Sequence, residues 1–338
     1  MKVVYTETPI TAHQSHEVES SFIPEDWTYI TSIFNPDEDL DSPTNTKFIN
    51  DIKDADVLVN SYVMFDKRLI DLMEHPRILT FQSTGYNAVD MDYATQKGMA
   101  VASVTDYSTQ ETAENAIAMM MALQRNTVGF NRSVQEDKVW STAVFSGMKR
   151  IEGQTMSIIG LGRIGRHVAR IAGKGLGMKV IAYDPYIPKD IAESIEVNLV
   201  DFDTALSEGD VISVHMNLTE ENRGIFNLET FKKMKKCPIF INEGRGEMVV
   251  EADLKTALDE HIIKAAGIDM LESENPNLST CCLIETPPRS NLIINPHSGY
   301  KSDTSSYLVR KISIENAINY INGDYSAIKE LRNCPYFK

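Results

Sequence analysis

Short apolar runs alternate with helix-like stretches along the whole chain, and this alternation is the strongest constraint on its fold. Four runs rich in β-branched or aromatic residues occupy the first third of the sequence: Val3–Tyr5, Val57–Asn60, Ile78–Phe81 and Met99–Val104. Amphipathic segments separate them. This spacing is typical of βαβ units, in which parallel strands form a sheet that helices cover on both faces.

The same alternation resumes in the second half of the chain. Six further runs have the character of buried strands: Met156–Ile159, Lys179–Tyr183, Val211–His215, Pro238–Ile241, Gly267–Met270 and Asn291–Ile294. A chain of 338 residues corresponds to roughly two domains at about 150 residues each. The sequence therefore predicts an α/β protein with two doubly wound parallel-sheet domains.

The segment Ser108–Arg125, between the two strand sets, predicts a long helix. Ser108 and Glu111 have the spacing of a capping box, and the following NAIAMMMAL carries almost no charge. A helix that is apolar all round is expected to have no side facing water. Both core packing between domains and a contact between subunits satisfy this expectation.

A glycine-rich turn follows the run at Met156–Ile159. Gly160, Gly162 and Gly165 stand between a predicted strand and a predicted helix. In a dinucleotide-binding turn the first glycine allows the tight turn, the second lets the backbone approach a pyrophosphate, and the third lets helix and strand pack closely. Backbone N–H groups and the helix dipole then hold the anion.

Asp184 ends the next predicted strand, 19 residues beyond Gly165, which is about the spacing at which a carboxylate meets a ribose 2′-hydroxyl. A carboxylate there would repel a 2′-phosphate, so NAD is favoured over NADP. The alternative is a turn role, since Asp-Pro commonly starts a turn.

Three polar residues follow late predicted strands, where an open α/β sheet collects its ligands. Arg245 follows PIFINEG, Glu274 lies five residues past Asp269, and His297 follows NLIINP. A guanidinium grips a carboxylate with its planar fork. A histidine exchanges a proton near neutral pH, and a neighbouring carboxylate orients it. Beside a nicotinamide, these groups suit interconversion of a 2-keto and a 2-hydroxy acid.

With these residues in place, the chain resembles the D-isomer-specific 2-hydroxyacid dehydrogenases from about residue 55 to 320. The matching segments are STGYNAVDMD (83–92), YSTQETAEN (107–115), GLGRIG (160–165), VISVHMNLTEEN (211–222), INEGRGEMV (241–249), GIDMLESENP (267–276) and NPHSGY (295–300). The resemblance implies a Rossmann NAD-binding domain and a flavodoxin-like substrate domain. Residues 1–104 and 301–338 would form the substrate domain, residues 105–300 would bind NAD, and the active site would lie in the cleft.

The resemblance also implies catalytic roles. Arg245 would bind the substrate carboxylate and polarise the carbonyl, His297 would be the acid/base, and Glu274 would hydrogen-bond His297. The substrate carboxylate would also meet the backbone N–H groups of Thr84 and Gly85 and, as in the D-lactate-type members, Tyr107.

Cofactor contacts are implied in the same way. Arg163 and Ile164 would line the pyrophosphate, Asp184 the adenosine ribose, and Asp269 the nicotinamide. The other NAD-lining positions of the family fall on Met216, Asn217, Asn222, Glu243 and Gly244.

The chain departs from the family pattern at four places. Asn217 stands where proline is usual, and Asn115 replaces a frequent histidine. Asn275 separates Glu274 from Pro276, so a shifted alignment would make Glu272 the partner of His297. Glu243 stands where a small or apolar residue is usual. Its carboxylate could pair with Arg245, bond the nicotinamide amide, or point away.

Two alternatives to a keto-acid dehydrogenase remain. The same scaffold occurs in phosphite and formate dehydrogenases, although the latter place glutamine before the histidine, where this chain has Pro296. The other alternative is an NAD(H)-sensing binding protein, because corepressors that carry extra partner-docking sequence also resemble this family.

Charge and cysteine content exclude several classes of function. The net charge of −15 disfavours nucleic acid and anionic membranes as partners. The four cysteines, Cys237, Cys281, Cys282 and Cys334, have neither zinc-site nor disulfide-framework spacing. With no apparent signal peptide, the prediction is a cytoplasmic, metal-free homodimer that contacts its partner through the helix at 108–125.

Overall fold

A computed structural model describes residues 1–12, 15–273 and 276–333. The chain forms two compact units, one made of Met1–Tyr107 with Ser302–Lys338 and the other of Ser108–Lys301. The strands are β1 Lys2–Glu7, β2 Thr28–Ile33, β3 Val57–Asn60, β4 Ile78–Phe81, β5 Ala100–Ala102, β6 Thr155–Ile159, β7 Lys179–Tyr183, β8 Asn198–Leu199, β9 Val211–Val214, β10 Ile239–Asn242, β11 Ala265–Ile268 and β12 Leu292–Ile294.

The α-helices follow the strands in the order expected for βαβ units. They are α1 Glu17–Phe22, α2 Pro43–Ile52, α3 Lys67–Asp71, α4 Met91–Gln96, α5 Thr109–Arg125, α6 Thr127–Gln135, α7 Arg163–Arg170, α8 Lys189–Ser194, α9 Phe202–Glu208, α10 Leu228–Lys232, α11 Glu251–Asp259 and α12 Asp303–Asn322. Among the residues described, no helix combines the length and the apolar character needed to cross a bilayer.

The first unit is a five-stranded parallel sheet with the order β2-β1-β3-β4-β5. This is the flavodoxin-like order. Successive residues of a strand face opposite sides of the sheet, so Val4 packs into one apolar core with Phe48 of α2, whereas Val3 packs into another with Ile314 of α12. The predicted flavodoxin-like domain is confirmed.

The second unit is a seven-stranded parallel sheet with the order β12-β11-β10-β9-β6-β7-β8. The strand order reverses direction between β6 and β9, as in a Rossmann fold, and ligands bind at the carboxyl ends of strands at such a switch point. Ile158 and Ile159 of β6 enter cores on opposite faces. The predicted Rossmann domain is also confirmed.

Two strands, β2 and β8, were not predicted from the sequence. Both lie at the edge of a sheet. β2 buries only Ser32 among its six residues, and β8 has only two residues. Neither therefore carries the continuous apolar run that marks a strand buried on both faces. The strand predicted at Gly267–Met270 is β11, which begins and ends two residues earlier.

The helix α5 differs from its prediction in two respects. Ser108 is its N-cap residue, but the Ser108 side chain makes no capping hydrogen bond, so the predicted capping box is wrong. The expectation that no side faces water is also wrong for the single chain, because Glu114 and Ala118 are exposed. The opposite face, with Ala116, Met119 and Met120, belongs to the apolar core of the second unit.

Candidate active site

Three neighbouring strands bring two of the predicted catalytic residues and one predicted cofactor residue to one edge of the second sheet. The last residues of β10, β11 and β12 are in register, with Asn242 beside Ile268 and Ile268 beside Ile294. Asp269 follows β11 directly, whereas Arg245 and His297 each stand three residues beyond their strands. The sheet therefore places a guanidinium, a carboxylate and an imidazole on adjacent loops.

Asp269 fixes the loop that carries His297. The backbone N–H of His297 donates to the carbonyl oxygen of Asp269 at 2.6 Å. The Asp269 carboxylate accepts from the N–H groups of Ser298 and Gly299, each at 3.0 Å. His297 itself has a left-handed backbone with φ of 50°, which is uncommon outside glycine and needs support from its surroundings. Asp269 provides that support.

Arg245 is held by the amide of the residue that ends its own strand. Asn242 Nδ2 donates to the carbonyl oxygen of Arg245 at 3.0 Å, and the N–H of Gly244 donates to Asn242 Oδ1 at 3.1 Å. The guanidinium is half-buried and donates from Nη1 to the Gly244 carbonyl at 2.8 Å. A guanidinium has five N–H donors, so most of this fork is available for a carboxylate.

Glu274, the predicted partner of His297, lies outside the described residues. The other candidate, Glu272, is exposed, and its backbone N–H donates to Glu251 Oε1 at 2.8 Å.

Glu243 is turned into the interior of the second unit. Its Oε1 accepts a hydrogen bond from Asn115 Nδ2 of α5 at 2.8 Å. Among the described residues it forms no ion pair with Arg245, although the two are separated by one residue. Burial first, and the nearby Asp269 carboxylate second, raise the pKa of Glu243 to about 9. Of the three orientations considered from sequence, pairing with Arg245 is therefore wrong.

In the glycine-rich turn after β6, each of the three glycines has the backbone conformation or the surroundings expected of a dinucleotide-binding turn. Gly160 has φ of 97°, and a Cβ on it would lie 2.9 Å from the backbone of His215. A Cβ on Gly165 would lie 2.2 Å from the carbonyl oxygen of Gly160. Gly162, the N-cap residue of α7, is exposed and has no atom within 4 Å of its Cβ position. The turn thus leaves open the surface where a pyrophosphate would lie.

Asp184 joins the end of β7 to the glycine-rich turn. Its Oδ2 accepts from the N–H of Leu161 at 2.8 Å, and its Oδ1 accepts from the N–H groups of Tyr186 and Ile187 at 2.9 and 3.1 Å. The turn role and the ribose role are therefore compatible, because carboxylate oxygens with about four acceptor sites retain capacity for a hydroxyl.

The remaining predicted cofactor positions surround the same edge. Cβ atoms on Gly160 and Gly244 would meet Met216 N and O at 2.9 and 3.0 Å, so the loops after β6, β9 and β10 pack against one another. Asn222 braces the turn that Asn217 begins, because its Nδ2 donates to the Asn217 carbonyl at 2.8 Å. Arg163 and Ile164 form the first turn of α7.

The glycine pair permits a matched test of cofactor binding. We expect Gly162→Ala to fold with nearly unchanged stability but to weaken NADH binding by about tenfold or more, because its Cβ points into the open surface. We expect Gly165→Ala to lose roughly 1–3 kcal/mol of unfolding free energy, because its Cβ overlaps a carbonyl oxygen. Urea unfolding and NADH fluorescence titration measure the two effects; equal NADH affinity of wild type and Gly162→Ala would contradict the site.

The predicted substrate loop lies in the first unit, after β4. Thr84 Oγ1 donates to the Val104 carbonyl at 3.1 Å, and Ser83 Oγ donates to the Gly85 carbonyl at 2.6 Å. The Val104 N–H in turn donates to the Ser83 carbonyl at 3.0 Å. These bonds order a loop whose Thr84 is exposed, whereas Tyr107 is buried.

A polar network at the ends of β3 and β4 was not predicted from the sequence. The Tyr5 hydroxyl shares a hydrogen bond with Ser61 Oγ at 2.6 Å and donates to Gln82 Oε1 at 2.9 Å. Gln82 Nε2 donates to the buried Glu19 at 2.9 Å, and Arg310 pairs with Glu19 at 3.2 Å. Ser61 and Gln82 directly follow β3 and β4, and that position at strand ends was the available signal.

Comparison with known proteins agrees with this geometry. Residues 117–299 match the family model described as D-isomer specific 2-hydroxyacid dehydrogenase, NAD binding domain. The chain is 32% identical over 284 residues to a hydroxypyruvate reductase of Blautia hydrogenotrophica, covering 81% of this chain and 85% of that protein. The chain therefore belongs to the D-isomer specific 2-hydroxyacid dehydrogenase family, and the prediction of NAD as its cofactor is confirmed.

Another relative is longer. The chain is 36% identical over 267 residues to D-3-phosphoglycerate dehydrogenase of Archaeoglobus fulgidus. The matched region covers 79% of this chain and 49% of that protein. The chain thus spans about half the length of the phosphoglycerate dehydrogenases it matches. A crystal structure of D-lactate dehydrogenase from Aquifex aeolicus, complexed with NAD and lactic acid, superposes with a TM-score of 0.77 at 24% identity, over 98% of each chain. That similarity supports the fold.

The residues present fit NAD. The open position at Gly162 gives the backbone N–H groups at the start of α7 access to a pyrophosphate, and Asp184 offers acceptors for ribose hydroxyls. The negative charge of Asp184 at this point is the feature that disfavours a 2′-phosphate.

Proposed function

We propose that the protein is an NAD-dependent oxidoreductase that interconverts a 2-keto acid and a D-2-hydroxy acid. The observation that carries the proposal is the placement of Arg245, Asp269 and His297 on three adjacent, in-register strand ends, at the same edge as the glycine-rich turn. Membership of the dehydrogenase family supports it.

Arg245 would hold the carboxylate of the substrate and draw electron density from its carbonyl oxygen. A bidentate guanidinium–carboxylate pair fixes both position and orientation. The N–H groups of Thr84 and Gly85 and the Tyr107 hydroxyl in the first unit are the further carboxylate ligands that we propose. Asp269 would accept from the carboxamide of the nicotinamide.

NAD, when bound, supplies or accepts the hydride. His297 would donate a proton to the carbonyl oxygen during reduction and remove it from the hydroxyl during oxidation. The Asp269 carbonyl and carboxylate hold the His297 loop in its left-handed conformation, so the imidazole is positioned before the substrate binds. Glu274 remains the proposed carboxylate partner of His297.

The side chain accepted at C2 would be larger than that of glyoxylate. Tyr62 and Met64 follow β3 and Tyr86 follows β4, and all three are exposed. In the second unit, the Tyr300 ring stands edge-on to the His297 ring, with centroids 6.1 Å apart. The partly aromatic character of these residues is the reason that we propose an apolar substituent.

A keto-acid panel tests the proposal. Oxidation of NADH and of NADPH is measured with pyruvate, phenylpyruvate, glyoxylate and hydroxypyruvate. We expect turnover with at least one keto acid and a preference for NADH. Tight NADH binding without turnover on any of them would instead favour the NAD(H)-sensing binding protein. NAD reduction by phosphite alone would favour the non-keto-acid dehydrogenase.

We also propose a homodimer in which the exposed face of α5, including Glu114 and Ala118, contacts the second copy. Analytical ultracentrifugation distinguishes a dimer from a monomer.

A further inference from the structure

Glu243 is a buried carboxyl group that has one satisfied oxygen and one without a partner. Only 5% of the residue is exposed. Its Oε1 accepts from Asn115 Nδ2, and Asn115 Oδ1 in turn accepts from Asn295 Nδ2 at 3.3 Å. Its Oε2 is buried and has no hydrogen-bond partner among the residues described. An ionised carboxylate in this position would leave a costly unpaired charge in the interior.

The unpartnered oxygen faces a second carboxylate across Gly299. A Cβ on Gly299 would lie 2.6 Å from Glu243 Oε2 and 2.8 Å from Asp269 Oδ2. Both oxygens therefore occupy space that any larger residue at position 299 would fill. The Glu243 carboxyl group can occupy this position only because residue 299 is a glycine and has no Cβ.

Because both oxygens lie within 2.8 Å of that one Cβ position, the two carboxyl groups share one buried site. Two carboxyl groups that share a site are most stable when they hold one proton between them. The oxygens of Asp269 already accept the N–H groups of Ser298 and Gly299. Glu243 has a single donor, Asn115. The proton therefore resides on Glu243, in agreement with its raised pKa.

We propose that Glu243 is a positioning residue: as a neutral carboxylic acid it donates a hydrogen bond to the Asp269 carboxylate and thereby steadies the loop that carries His297. This inference rests on the proposed function, because it assigns His297 the acid/base role. The chain of contacts runs from α5 through Asn115 and Glu243 to Asp269, and from Asp269 to the N–H groups of residues 297–299.

Among the described residues, hydrogen bonds and close contacts place groups from α5 and from the loops after β11 and β12 against Glu243. They are Asn115 from α5, Asp269 after β11 and Gly299 after β12. On its own loop, the Arg245 guanidinium turns to the Gly244 carbonyl. Asp269 is thus the charged group set against Glu243, and loss of the Glu243 proton at alkaline pH would place two negative charges side by side.

The proposal is tested by comparing Glu243→Gln with Glu243→Leu. Glutamine keeps an acceptor for Asn115 and an N–H donor for Asp269, whereas leucine has neither. We expect Glu243→Leu to lose at least about tenfold more kcat than Glu243→Gln, because misplacement of an acid/base is costly. We also expect the wild-type kcat for hydroxy-acid oxidation, in which His297 acts as a base, to fall as the pH rises towards 9 and above, and this alkaline decline to be absent in Glu243→Gln.

Two readouts need no turnover, so they separate this inference from the proposed function. The infrared spectrum of the wild type near neutral pH should contain a carboxylic-acid carbonyl band that Glu243→Gln lacks. Folded Glu243 retains its proton to about pH 9, whereas the unfolded chain releases it near 4.5. The thermal stability of the wild type should therefore fall, relative to Glu243→Gln, between these two pH values.

Gly299→Ala provides a second test through a double-mutant cycle. The added Cβ should reduce activity in both backgrounds, because it would lie 2.8 Å from Asp269 Oδ2, but the loss should be smaller in Glu243→Ala, where the overlap with Glu243 Oε2 is gone. The inference is overturned if the infrared band is missing or if Glu243→Gln and Glu243→Leu lose equal activity. It is also overturned if Gly299→Ala lowers activity by the same factor in the wild type and in Glu243→Ala. Failure of the keto-acid panel with the band present would overturn the proposed function alone.

Discussion

Replacing His297 by asparagine is expected to lower kcat for keto-acid reduction by about a hundredfold to ten-thousandfold, because the proton donor for the carbonyl oxygen is lost. Asparagine adopts a left-handed backbone readily, so the φ of 50° at this position can be kept. NADH binding should change little, since His297 contributes to proton transfer. Steady-state kinetics and NADH fluorescence titration measure the two quantities.

His261 offers a matched control for that substitution. It is exposed and has nearly the same backbone conformation, with φ of 55°. We expect His261→Asn to leave kcat unchanged. A His297→Asn protein that kept the wild-type kcat would contradict the acid/base role, whereas equal losses in both variants would indicate a backbone effect.

The Arg245→Ala substitution is expected to raise KM and to lower kcat together. The guanidinium would bind the substrate carboxylate in the ground state and stabilise developing charge in the transition state, so both parameters depend on it. Two charge-assisted hydrogen bonds at about 1.5–3 kcal/mol each correspond to a loss in kcat/KM of roughly a hundredfold or more. The initial rate is measured over a range of keto-acid concentrations.

Arg245→Lys and Arg170→Ala sharpen this test. Lysine keeps the charge but not the planar fork, so its kcat/KM should lie between those of the wild type and Arg245→Ala. Arg170 is an exposed residue at the end of α7, and its replacement should have no effect. Wild-type kcat/KM in Arg245→Ala would remove this residue from the site.

The fold could be predicted because its central strands are covered on both faces. β3, β4, β9 and β10 are buried at every position, and burial on both faces requires a continuous apolar run that a single sequence displays. The edge strands β2 and β8 need no such run, because each has only one neighbouring strand and most of its residues are exposed or half-buried. Their pairing depends on neighbours distant in sequence.

The candidate site was predictable for a related reason. Arg245, Asp269 and His297 stand just beyond apolar runs, and the carboxyl ends of parallel strands share one edge. The orientation of Glu243 could not be predicted from its position at the end of a strand. It depends on Asn115, which is 128 residues away in the sequence, and on the missing side chain of Gly299. Neither contact follows from spacing along one strand.

The failed capping box at Ser108 has a local cause. The pattern of Ser108 and Glu111 is the one that caps many helices, but the backbone at Ser108 has φ of −134° and ψ of 16°, whereas an N-cap is typically extended. The Ser108 carbonyl accepts from the backbone N–H and the hydroxyl of Thr112, each at 3.0 Å, so the helix begins here without a side-chain cap. At Ser302, where the backbone is extended, the serine does cap α12.

Transfer of deuterium from the cofactor to the product measures the proposed hydride transfer itself. NADH carrying deuterium at both positions of C4 of the dihydronicotinamide is mixed with the keto acid that the panel identifies, and the product is analysed by mass spectrometry and chiral chromatography. The account predicts deuterium bound to C2 of a D-2-hydroxy acid, formed by the wild type and nearly absent with His297→Asn. Product without the label, or a product of L configuration, would contradict it.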